Sequence, residues 1–162
     1  WLVFGSTIGG IKLVRLDPVT LKPLPNPEFI TLAQRFLLQD DPIIEAPHLL
    51  FRDGYYYLFV SFNHCCLGAD TQYHVRVGRS RNIAGPYFDN QYWPMLLGGG
   101  TPLIAGDGDY IGTGHSDVFS ERGQDWLVHH AKRPDEGYRA YLQIRKLRWL
   151  NNGWPSVCTE TT

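Results

Sequence analysis

Charge is scarce in this 162-residue chain. Asp, Glu, Lys and Arg make up only 19% of it, and 15 basic residues nearly balance 16 acidic ones, for a formal net charge of -1. Nucleic-acid binding rests on neutralising phosphates, and no basic stripe is present to do so. Long apolar runs are also missing. The longest, such as Tyr55 to Ser61, are strand-sized, so neither a membrane nor a nucleic acid is an expected partner. A single Met and few strong helix formers argue against a helical bundle. Cysteine is limited to Cys65, Cys66 and Cys158, with no CxxC spacing, which speaks against a zinc site. The adjacent pair admits a vicinal disulfide or two packed thiols, and the odd count leaves one thiol unpaired or intermolecular. No signal-peptide pattern and no initiator Met open the chain, so a processed or partial chain is the expectation. What the sequence does have is 43% apolar residues, 14% aromatics, 17 Gly and 11 Pro, a composition that favours many short strands joined by turns.

The chain repeats itself. At a constant shift of 69 residues, Gly54 meets Gly123, Tyr57 meets Trp126 and Leu58 meets Leu127. The same shift aligns Val75 with Ile144, Arg76 with Arg145 and Pro86 with Pro155. Each copy reads as strand, turn, strand, loop, strand and a closing turn. Asp53-Gly54 and Arg122-Gly123 supply residues that tolerate the positive φ of a tight hairpin. A third, partial copy opens the chain: Trp1 to Gly5 matches Tyr57 to Ser61, and Ile11 to Asp17 matches Val75 to Arg81. It begins at the second strand of a repeat.

Antiparallel repeats of this length suggest the blades of a β-propeller, since one blade cannot bury both of its faces alone. The alternative is a self-contained β-sandwich with accidental internal similarity. On the propeller reading the fold class is all-β, with a partial blade over 1–17, a blade over 45–87 and a blade over 114–155, all within one domain. Asp17 to Asp41 reads as a connection, with a single helical turn allowed by the apolar spacing in Pro27 to Gln39. Tyr87 to Thr101 links the other two copies.

The first strand of each propeller blade lines the central channel, so equivalent positions converge there. Glu45 precedes Ala46-Pro47 at the entrance to one such strand, and Ala46 corresponds to His115 in the next copy. A carboxylate and an imidazole are thus aimed at one region. Glu45 stands among Ile43, Ile44, Ala46 and Pro47, a setting that raises a carboxyl pKa and suits a general acid; a solvated loop glutamate is the competing reading. His129 and His130 read as packing residues. Arg76, Arg79, Arg145 and Arg148 recur at matched positions, which favours structural roles, with Arg76 the one candidate for reaching a substrate. Exposed aromatics offer platforms for sugar faces. Gly98-Gly99-Gly100-Thr101 lacks the Lys and the following helix of a phosphate loop and is set aside.

Several stretches carry a family resemblance. IEAPHLLFRDGYYYLFVSFNHCCLG, then YHVRVGRSRNIAGPY, and GTGHSDVF with WLVHHA and IRKLRWLNNGWP resemble the endo-1,5-α-L-arabinanases of glycoside hydrolase family 43. The resemblance covers essentially the whole chain. It implies a five-bladed propeller, of which about two and a half blades are present. It also implies inverting hydrolysis of α-1,5-linked arabinan, with arabinan or arabino-oligosaccharides as the partner and a secreted location.

By the same resemblance Glu45 is the general acid. His115 helps hold a metal ion, a structural calcium in the central channel, and two catalytic aspartates fall upstream of the segment matching Trp1. Two departures stand out: Thr7-Ile8 replaces an aromatic pair, and Gly114-His115-Ser116-Asp117 replaces a GHNS-like motif. Residues 1–162 alone are expected to be inactive. Competing expectations are an exo-acting arabinofuranosidase or xylosidase of the same superfamily, a non-catalytic glycan-binding propeller and a protein-interaction propeller.

Overall fold

A computed structural model describes residues 1–36 and 41–157. Among the described residues eleven strands, all paired antiparallel, form three successive sheets. The first holds β1 (Leu2–Phe4), β2 (Ile11–Val14) and β3 (Ile30–Ala33). The second holds β4 (Ile44–Arg52), β5 (Tyr55–Phe62), β6 (His74–Ser80) and β7 (Thr101–Ile104). The third holds β8 (Ile111–Glu121), β9 (Gln124–Arg133), β10 (Arg139–Trp149) and β11 (Pro155–Val157). Each sheet runs in chain order, which is the blade pattern of a propeller rather than two facing sheets of a sandwich.

The hairpins form where their residues permit. Asp53 and Gly54 take φ of 48° and 78°, and Arg122 and Gly123 take 51° and 77°. Both central residues are left-handed, so the turn twists with the strands it joins.

One stretch read as a connection carries a strand instead, and a further strand follows the other connection. Ile30–Ala33 is β3, not a helical turn, and pairs with β2 through Ile11 opposite Ala33. Burial of Leu32 and Ala33 in the core, with β-branched Ile30 and Thr31 before them, settles the strand; Leu37 to Gln39 lie outside the described residues. Thr101–Ile104 is β7, a fourth strand paired with β6. The first two sheets therefore run past residues 17 and 87.

The middle sheet is buried on both faces. Along β5, Leu58, Val60 and Phe62 pack against Ile11, Leu13 and Leu32 of the first sheet. The alternate residues Tyr57 and Phe59 pack against Val118, Leu127 and Leu147 of the third. The Tyr57 hydroxyl also donates to the carbonyl of Gly153, 2.5 Å away in the third sheet.

Candidate active site

The pairing of β4 with β5 skips between Glu45, opposite Ser61, and His48, opposite Phe59. Ala46 and Pro47 thus face one residue of β5, with Ala46 at φ 52°. Pro47 has no N–H to donate, and a bulge is one of the few places a sheet accepts it. The same irregularity recurs in the next blade, between Gly114 opposite His130 and Asp117 opposite Val128, with His115 at φ 54°. Bulges re-aim side chains. Here two equivalent bulges turn Glu45 and His115 out of their sheets.

Glu45 is half-buried and held by hydroxyls from two blades. Ser6 Oγ of the first donates to Oε2 at 3.2 Å, and the Tyr73 hydroxyl of the second donates to Oε1 at 2.7 Å. Both carboxyl oxygens thus have polar partners, although the sequence neighbours of Glu45 are apolar. Burial, the largest cause, raises the Tyr73 pKa well above the usual 10, so the phenol remains a neutral donor. Its ring lies parallel to His130, centroids 5.6 Å apart.

The third blade closes the site from beneath. The His115 N–H donates to Ser61 Oγ at 2.8 Å. Gly114 stands at the position equivalent to Glu45, and only a glycine fits: a Cβ there would lie 2.2 Å from the Tyr73 ring and 3.0 Å from Ser61 Oγ. The exposed His115 ring is tilted against His130 at 6.5 Å. Burial first, then Lys132 and His115, depress the His130 pKa below 6.5. Neither other nearby carboxylate is turned to Glu45. Asp117 lies 2.8 Å from His48 Nδ1, and Asp41 binds His64 at 2.7 Å.

Arg76 is placed elsewhere. It pairs with Val60, on the opposite face of the sheet from Glu45 and Ser61. There its Nη1 donates to the Gly100 carbonyl at 2.8 Å, and the guanidinium lies over Phe62. These contacts lie within its own blade, so Arg76 is not brought to Glu45. Tyr73, Ser6 and Ser61, which the sequence did not single out, are. A cavity of about 440 Å³ is lined by Tyr55, Arg79 and Trp154 at the other end of β5 and is separate from this site.

Calcium takes six to eight oxygen ligands. Among the described residues no group of three His, Cys, Asp or Glu gathers to hold an ion. The residues here therefore offer one imidazole and do not fit a calcium shell by themselves.

The sequence model of glycosyl hydrolases family 43 matches residues 1–155. An extracellular exo-alpha-(1->5)-L-arabinofuranosidase, ArbA, of Cellvibrio japonicus is 40% identical over 97% of this chain and 47% of its own length. Extracellular endo-alpha-(1->5)-L-arabinanase 1 of Bacillus subtilis is 40% identical over 96% of this chain and 46% of its own length. The structure of Cellvibrio cellulosa alpha-L-arabinanase complexed with arabinohexaose superposes with a TM-score of 0.88 at 39% identity, covering 96% of this chain and 52% of that one. The chain spans about half the length of the relatives it matches.

Proposed function

The chain belongs to glycosyl hydrolases family 43, and from that premise we propose that it supplies the general acid, Glu45, of a site that hydrolyses α-1,5-linked arabinan with inversion. One observation carries this reading: the Glu45 carboxyl stands at a bulge, fixed by hydroxyls from two blades. In an inverting displacement the acid gives its proton to the glycosidic oxygen as that bond breaks. A second carboxylate activates a water on the far face of the sugar, roughly 6.5–9.5 Å from the first. Ser6 and Tyr73 hydroxyls can donate to a carboxylate or accept from a carboxylic acid, so they position Glu45 in either state. The base and the second aspartate are assigned to the part of the family's length that this chain does not span. On that assignment residues 1–162 alone do not hydrolyse arabinan.

His115 is proposed as one ligand of a calcium ion whose remaining ligands are waters and oxygen donors outside this chain; no step is routed through it. The extracellular relatives support a secreted enzyme. Among the described residues no helix is long and apolar enough to cross a membrane. The ArbA similarity favours exo action as a second reading.

The test uses the full-length enzyme. Glu45→Ala is expected to lose roughly 10²–10⁴-fold in turnover on linear arabinan, and less on an aryl arabinoside with a good leaving group. Equal losses on both substrates, or none, would remove Glu45 from the acid role. NMR of the first-formed anomer reads inversion. A ladder of oligosaccharides marks endo cleavage, and a single small product marks exo cleavage. Metal analysis of wild type and His115→Ala reads the calcium assignment: equal content in both would refute it.

A further inference from the structure

The loop from β5 to β6 carries the two adjacent cysteines, and it is tied down on either side of them. The His64 N–H donates to Asp41 Oδ2 at 2.7 Å, and the His64 carbonyl accepts from Thr71 Oγ1 at 2.7 Å. The Cys65 carbonyl accepts from Lys132 Nζ, which reaches across from the third blade. Held this way, the two sulfurs lie 2.6 Å apart, both as free cysteines, Cys66 exposed and Cys65 half-buried. Lys132 Nζ also stands 3.6 Å from Cys66 Sγ.

We propose that Cys65 and Cys66 are a reactive vicinal dithiol, a modification site that closes to a disulfide by exchange with a small-molecule disulfide such as oxidised glutathione. Cys66 is the attacking sulfur and Cys65 the resolving one. Exposure gives Cys66 access to the reagent, and the Lys132 ammonium stabilises its thiolate. The two thiols are correspondingly unequal. The hydrogen bond with Cys65, helped by Lys132, holds the Cys66 pKa below the usual range against the opposing effects of burial and, least, the charge of Glu45. Burial, with the bond to Cys66, pushes the Cys65 thiol up to about 11.

The steps balance. The Cys66 thiolate attacks one sulfur of the reagent. The reagent's S–S bond breaks, a small thiolate leaves, and a mixed disulfide forms at Cys66. Cys65 then loses its proton to the departed thiolate and attacks Cys66 Sγ. The mixed disulfide breaks, the Sγ–Sγ bond forms, and a second small thiolate leaves. Two cysteine thiols are oxidised and one reagent disulfide is reduced to two thiols.

The experiment is exchange of the reduced full-length protein with oxidised glutathione, followed by peptide mass mapping. Wild type is expected to lose two hydrogens on the peptide carrying both cysteines and to retain no glutathione. Cys65→Ser is expected to hold one glutathione stably at Cys66. Cys66→Ser is expected to react about tenfold more slowly, because the attacking thiolate is gone. Lys132→Met, with its fold checked by thermal unfolding, should slow the first step several-fold and leave the final product unchanged. Retained glutathione on the wild type, equal rates for the two serine variants, or a bond from either cysteine to Cys158 would each overturn the proposal.

Discussion

The second and third sheets are built alike and end differently. They share the hairpin turn, the bulge in the first strand and the alternation of faces. Yet Tyr73 and Val75 of the second are 1% and 0% exposed, while their equivalents Leu142 and Ile144 are 71% and 53% exposed. The residue types on that face are comparable. What differs is the neighbour: Val118, Leu127 and Leu147 of the third sheet cover the second. Among the described residues nothing covers the Leu142 and Ile144 face of the third. A second difference sits in the bulges, where the equivalent pairs are Glu45-Ala46 and Gly114-His115. One blade supplies the carboxylate, and the other supplies the room for Tyr73 to reach it.

The bulge comparison is broken most severely from the carboxylate side, by the loss expected for Glu45→Ala. From the other side, Gly114→Ala inserts a Cβ 2.2 Å from the Tyr73 ring. Displacing that ring is expected to destabilise the protein by about 1–3 kcal/mol and to lower turnover on arabinan. Tyr73→Phe should lower turnover without the stability loss. Chemical denaturation and initial rates separate the two effects.

The exposed face gives a sharper contrast. In the full-length protein a further blade is expected on the third sheet, so Ile144→Ala should cost about 2–5 kcal/mol, as for a buried isoleucine. Denaturation midpoints of Ile144→Ala beside Val75→Ala check this, and a change within about 0.5 kcal/mol would mean that the face stays open.

The smallest effect concerns His129, which occupies in the third sheet the fully buried place that Val60 holds in the second. Its Nδ1 meets the His130 carbonyl at 3.0 Å, and burial depresses its pKa below 6.5. The unfolded chain takes up a proton near pH 6.5 that the folded chain resists. The contribution is therefore fully present above that pH and is lost as the pH falls through the lower folded value. His129→Val should flatten the decline of the melting temperature between pH 7 and pH 5. An unchanged slope would place the acid sensitivity on His48, His74 and His130, which burial depresses in the same way.

Much of the fold was legible because it is local. The shift of 69 residues, the Asp-Gly and Arg-Gly turns and the strands between them follow from backbone preference and side-chain alternation, which short stretches of chain determine alone. β3 and β7 were not legible. Each is four residues long in a loop-like context, and each is strand because a strand beside it pairs its backbone. At the site, the sequence placed Glu45 and His115 within one residue of equivalent positions, since Ala46 is the counterpart of His115.

Only tertiary structure decided what surrounds them. Ser6 and Tyr73 stand 39 and 28 residues from Glu45; the Ser6 hydroxyl arrives through the packing of the first blade on the second, and the Tyr73 hydroxyl through the folding of the second blade on itself. Alternation alone puts Arg76 and Val75 on opposite faces of β6, but which face looks toward Glu45 depends on the pairing of β4 with β5. Burial is decided the same way: a strand's residues fix which face is apolar, and only a neighbouring sheet removes that face from water.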